Sequence, residues 1–89
     1  MTCFFLYHPN SEHARLVEEF VHDFSARYPE QAIDLLSLET AEGSNKAAVY
    51  GVVQYPCLIV VASDGRLVKH WEGEPLPLIN EVAYYTHEN

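Results

Sequence analysis

Three stretches of this chain carry side chains with chemistry to offer. The first is His8-Pro9-Asn10-Ser11-Glu12-His13, two imidazoles flanking a carboxylate and two cap-forming residues. Imidazoles bind transition metals, but a metal site needs about three or four ligands in a defined geometry. Two are present, so no metal ligand is assigned and His8 and His13 remain weak candidates. The simpler reading is a polar turn, with Asn10 or Ser11 as helix N-cap and Glu12 in the first turn, where the helix dipole favours a carboxylate. The second group is the thiols of Cys3 and Cys57. A reactive cysteine needs its thiolate stabilised, whereas an unreactive one serves as a small buried apolar residue. The third is Gln54-Tyr55-Pro56-Cys57, an aromatic and a proline leading into an apolar run. His22, His70 and His87 have no partner at ligand spacing, and no Ser-His-Asp or Cys-His arrangement emerges. No cofactor is expected.

Composition narrows the classes. Thirteen Asp and Glu against five Lys and Arg give a net charge of −8. Nucleic acid is an unexpected partner, because phosphate binding needs clustered cations. The acidity reads as solubility, with a docking face for a basic partner as the alternative. Hydrophobic residues make up 48% of the chain and aromatics 12%, which calls for a packed core rather than disorder. Met1-Thr2-Cys3 lacks a basic leader, and no apolar run is long enough to span a bilayer. The expectation is one cytoplasmic domain over residues 1–89, not membrane-bound, with free thiols.

These groups need elements to position them. Residues 2–7 are apolar without alternation, the pattern of a strand buried on both faces. His8-Pro9 ends it. A helix to about Tyr28 carries Ala14, Val17, Phe20, Val21, Phe24 and Tyr28 on one face, widened by Leu16, and Pro29 stops it. A second strand covers roughly 32–38, with Asp34 and Ser37 suggesting a sheet edge. Residues 39–44 read as a loop and 45–50 as a short helix capped by Gly51. The third strand is 57–62, and Asp64-Gly65 signals a hairpin into an antiparallel fourth strand over 66–71. The last helix spans about 76–85, with Leu76, Ile79, Val82 and Ala83 on its buried face. Trp71 reads as packing beneath this helix, or as an exposed anchor for self-association.

The order β-α-β-α-β-β-α, together with particular residues, resembles the thioredoxin and glutaredoxin fold family. Tyr50-Gly51-Val52 is similar to the Tyr-Gly-Ile/Val ahead of the family's proline, Pro56 to that proline, Asp64-Gly65 to the hairpin turn and Gly73 to the glycine before the final helix. The resemblance implies an α/β thioredoxin-like domain with a four-stranded mixed sheet and helices on both faces. It also implies a cis peptide bond at Pro56, beside the active-site position. The family's redox chemistry uses Cys-x-x-Cys at the start of the first helix. Here Asn10 and His13 fall at those positions, so dithiol–disulfide exchange is not available from this segment. In this fold the first and third strands are antiparallel neighbours. Cys3 and Cys57 then fall about 15 Å apart by strand rise, beyond the roughly 7 Å limit for a disulfide.

The function these features imply is that of a redox-inactive binding or interaction module. Its cleft is formed by His8, Pro9, Asn10, Ser11 and His13 with Gln54, Tyr55, Pro56 and Cys57. An extended peptide or protein segment is the expected partner, added in the manner of a strand beside Tyr55. The oligomeric expectation is a monomer or weak homodimer. Glutathione would need cations for its carboxylates, and Arg15 and Lys46 are the candidates near that end. Two alternatives stay open: a divergent oxidoreductase or peroxide sensor using Cys57 as a single thiol, and a metal-binding variant using His8 and His13.

Overall fold

The computed structural model describes residues 2–86. In chain order the elements are β1 (Thr2–Tyr7), α1 (Ala14–Arg27), β2 (Ile33–Ser37), α2 (Ala41–Tyr50), β3 (Cys57–Val61), β4 (Leu67–Glu72) and α3 (Ile79–Thr86). His87 lies outside the described residues. The strands form one sheet in the order β2-β1-β3-β4. β1 runs parallel to β2 and antiparallel to β3, and β3 is antiparallel to β4. This is an α/β fold with a four-stranded mixed sheet.

The continuous apolar runs of β1 and β3 follow from their central place, since each has a packed layer on both faces. Alternate residues divide between two cores. Cys3, Phe5 and Tyr7 of β1, with Leu58 and Val60 of β3, meet Ala14, Val17, Phe20 and Phe24 of α1 and Val82 and Ala83 of α3. Phe4 and Leu6, with Cys57, Ile59 and Val61, meet Ala47 of α2 and Val52 beyond it. Phe5, Leu6, Phe24 and Ile59 are fully buried, and each such side chain contributes about 1.5–3 kcal/mol of transfer free energy. Asp34 is exposed on the edge strand β2. Trp71 is half-buried against the α1–α3 core, edge-on to Tyr85 of α3 at 5.6 Å, and its indole N–H has no partner among the described residues.

Four sequence expectations change. The first helix starts at Ala14, after a turn, and neither Asn10 nor Ser11 caps it. The Ser11 hydroxyl instead donates to the His8 carbonyl at 2.6 Å, and the Asn10 amide donates to Glu39 at 3.3 Å. Leu16 does not extend the buried stripe, being 47% exposed. The second helix begins at Ala41, inside the expected loop. Thr40 is its cap, accepting from the Gly43 N–H at 3.1 Å while donating to the Ser37 carbonyl at 2.7 Å. The last helix begins at Ile79, so Leu76 precedes it while still packing on the core. Gly51 does end α2 in the left-handed conformation, at φ 66°.

Candidate functional site

The register places the cleft. Leu6 pairs with Cys57, so the end of β1 and the start of β3 lie side by side. The segments continuing from them, His8 onward and Tyr55-Pro56, therefore meet at one end of the sheet. The Tyr55–Pro56 peptide bond is cis, as is Glu74–Pro75. The His8 and Tyr55 rings pack edge to face with centroids 5.4 Å apart. Beside them an open groove of about 340 Å³ has Leu38, Ala47 and Val52 among its walls, with His8 and Tyr55 at its rim.

The turn from His8 to His13 is closed by its own side chains. The Ser11 N–H donates to the His8 carbonyl at 3.1 Å, and the His8 N–H donates to His13 Nε2 at 3.1 Å. A ring nitrogen that accepts carries no proton, so the His13 ring is neutral with its hydrogen on Nδ1. Burial lowers the His13 pKa, the neighbouring His8 lowers it further and Glu74 opposes both. Of the two ring nitrogens through which a histidine can bind a metal, Nε2 of His13 is already occupied by the His8 N–H. Among the described residues no group of three or more His, Cys, Asp or Glu side chains is arranged to hold a metal ion.

The proline loop is held from β4. Glu72 pairs with Cys57 across the sheet and extends its carboxylate over the loop. Glu72 Oε1 accepts from the N–H groups of Val53 at 3.0 Å and Gln54 at 3.1 Å, while Oε2 lies 3.4 Å from His70 Nδ1. The two backbone N–H groups hold the Glu72 carboxyl below the usual carboxylate range, with His70 adding a smaller push and slight burial opposing. Gly73 then donates its N–H to the Pro56 carbonyl at 2.8 Å. Its φ of 77° suits glycine, and a Cβ there would come within 2.9 Å of Gln54 Oε1.

Each sequence-designated residue now has a place. His8, Asn10 and Gln54 are exposed, and Pro9, Ser11, His13 and Tyr55 are half-buried. Pro56 and Cys57 are buried. The Cys57 side chain packs in the core beneath α2 with Ala47 and Val52, behind the groove wall, and has no exposed surface. Burial pushes its thiol up to about 12, with Glu72 adding to the shift. Burial and then Asp34 push Cys3 to about 12 as well. Both cysteines are free. The 15 Å expected between them shortens, because Cys3 pairs with Val60, three positions along β3 from Cys57; that is about 10 Å of strand. The stronger barrier is that the two thiols lie in different cores, on opposite faces of the sheet.

Lys46 is not a cleft residue. Its ammonium sits 5.6 Å over the Phe4 ring, in a separate groove with Thr2, Asp34 and Gly65. Arg15 is ion-paired with Glu19 at 3.2 Å on the exposed face of α1. Neither supplies the carboxylate partner that glutathione would require beside Tyr55. Sequence reasoning missed Glu72, because nothing in the local pattern of a strand end marks a carboxylate for backbone groups 18 and 19 residues upstream.

Comparison with solved structures identifies the class of architecture as thioredoxin-like. Thioredoxin O2 from Arabidopsis thaliana superposes with a TM-score of 0.70 at 16% identity, over 93% of this chain and 69% of that one. Thioredoxin 1 from Thermosipho africanus superposes at 0.67 and 13% identity, over 96% and 89%. A chain from a structure of the thiol resolving mechanism of yeast mitochondrial 1-Cys peroxiredoxin gives 0.69 and 13%, over 93% and 73%. At these identities the likeness is one of fold. No family model matches the chain, and no curated protein matches it.

Proposed function

We propose that this protein is a redox-inactive binding module that takes an extended peptide or protein segment along the cleft beside Pro56. The observation that carries this reading is the state of the turn ahead of α1. There Asn10 and His13 are engaged by Glu39 and by the His8 N–H, while both thiols are buried in the cores. The cleft keeps what recognition needs. Tyr55 presents an aromatic ring at the groove, and its backbone N–H and C=O make no hydrogen bond among the described residues. Free backbone groups beside a groove of mixed polarity, walled by Leu38, Ala47 and Val52 with Ser44, His8 and Tyr55, suit strand addition, in which main-chain bonds give affinity and pockets give specificity. Two free cysteines suit a reducing compartment, so the cytoplasm is the proposed location.

Two measurements test the reading. In an insulin-reduction assay the protein should not accelerate precipitation beyond dithiothreitol alone. Peptides selected from a random-sequence display library on the immobilised protein should lose binding to Tyr55→Ala and to His8→Ala, both still folded by circular dichroism. Acceleration of insulin reduction, or equal peptide binding by both variants, overturns it.

A further inference from the structure

We propose that His13 is a pH-operated latch on the cleft: its neutral ring holds the His8 N–H across the turn, and protonation releases it. The inference concerns regulation of the binding cleft just proposed, and rests on that reading for its purpose. The latch itself rests on geometry. Neutral imidazole has one donor and one acceptor nitrogen, whereas imidazolium has two donors and no acceptor. With Nε2 accepting from His8 at 3.1 Å, a proton gained at Nε2 turns the bond into a meeting of two N–H groups.

The consequence reaches the cleft through contiguous rings. The Tyr7 and His13 centroids are 6.5 Å apart, those of His13 and His8 6.2 Å, and those of His8 and Tyr55 5.4 Å. Freed from His13, the backbone at His8 keeps only the bonds that its carbonyl accepts from Ser11. The ring that packs against Tyr55 then loses its fixed position. Protein–peptide recognition at Tyr55 would thereby be tied to acidity.

The groups that face His13 set where release falls. His8 from the same turn opposes protonation, Glu74 from the segment after β4 favours it, and Tyr7 of β1 packs against the ring. Burial opposes protonation more than either charge acts. The latched turn therefore binds a proton less readily than the unfolded chain. Its contribution is complete above the ordinary imidazole value of about 6.5, and it is lost as the pH falls from there through the lowered folded value.

Nuclear magnetic resonance of the full chain, without any peptide, tests this between about pH 5 and pH 8, the span in which histidine changes charge. At the upper end His13 Nε2 should show the shift of an unprotonated acceptor. As the ring titrates, protection of the His8 amide from hydrogen exchange, corrected for intrinsic rate, should fall about fivefold, the worth of one ordinary hydrogen bond. The Tyr55 ring protons should move with the same midpoint. His13→Gln, whose side-chain carbonyl accepts without titrating, should abolish the pH dependence, and His8→Ala should raise the His13 midpoint. A protonated Nε2 at the upper end, or His8 protection that ignores the His13 titration, overturns the proposal. Because the readout needs no ligand, failure of the cleft to bind peptide would leave this result unaffected.

Discussion

Removing the Glu72 carboxylate should loosen the proline loop and destabilise the whole fold. Glu72 Oε1 takes two backbone N–H groups, from Val53 and Gln54, and the side chain is 23% exposed. Hydrogen bonds to a charged group are worth about 1.5–3 kcal/mol when shielded, and solvent screening at a partly exposed site reduces that. For Glu72→Ala the two together give a loss of about 1–2 kcal/mol, or a fall in Tm of about 4–16 °C for a domain of this size. Glu72→Gln keeps a carbonyl acceptor without the charge and should lose less. The sign with pH is fixed by the lowered pKa. The folded chain binds a proton at Glu72 less readily than the unfolded chain, so the stabilisation is complete above the ordinary carboxylate range. It is lost as the pH falls through the lowered folded value. Differential scanning calorimetry at several pH values reads both effects. A Glu72→Ala protein that melts with wild type at neutral pH and shares its acid transition would refute the reasoning.

Two further perturbations probe other parts of the fold. Gly43→Ala should cost about 1–3 kcal/mol by overpacking, because a Cβ there runs into the carbonyl of Ser37 in the strand beneath the helix. Chemical denaturation should show a lower midpoint at unchanged slope, and an unshifted midpoint would contradict the close approach of α2 to β2. Iodoacetamide at neutral pH should label Cys3 and Cys57 at least about a hundredfold more slowly than free cysteine, since burial and a raised pKa both deplete the thiolate. Two thiols per chain should react after unfolding, and rapid native labelling of Cys57 would favour the single-thiol oxidoreductase reading.

Much of the architecture was legible because it rests on patterns repeated over several residues. The unbroken apolar runs of β1 and β3 mark strands with a core on each side, and the spacing from Ala14 to Tyr28 marks the buried face of α1. Asp64-Gly65 marked the hairpin. The start of α2 was hidden because Gly43 and Ser44 look like loop residues. Gly43 is there to let the helix approach the Ser37 carbonyl, a constraint set by a strand elsewhere in the chain. The N-cap of α1 was misread for a related reason. Asn10 and Ser11 have the right chemistry to cap, but Asn10 bonds Glu39 and Ser11 turns back to His8 instead. At the site, the meeting of His8 with Tyr55 followed from strand order, whereas the side-chain direction of Cys57 depended on register. One position decides which of the two cores that thiol enters. The Glu72 bridge to the proline loop joins residues with no local signature.

The proposed function requires the cleft beside Pro56 to take a peptide without redox chemistry. The most direct test is amide-resolved mapping of a library-selected peptide titrated into the isotopically labelled protein. Shift changes should concentrate at His8, His13, Val53, Gln54 and Tyr55, with the peptide backbone adding main-chain hydrogen bonds at Tyr55. Changes confined to the outer face of α1 or to the groove beside Lys46, with the Tyr55 amide unmoved, would contradict it.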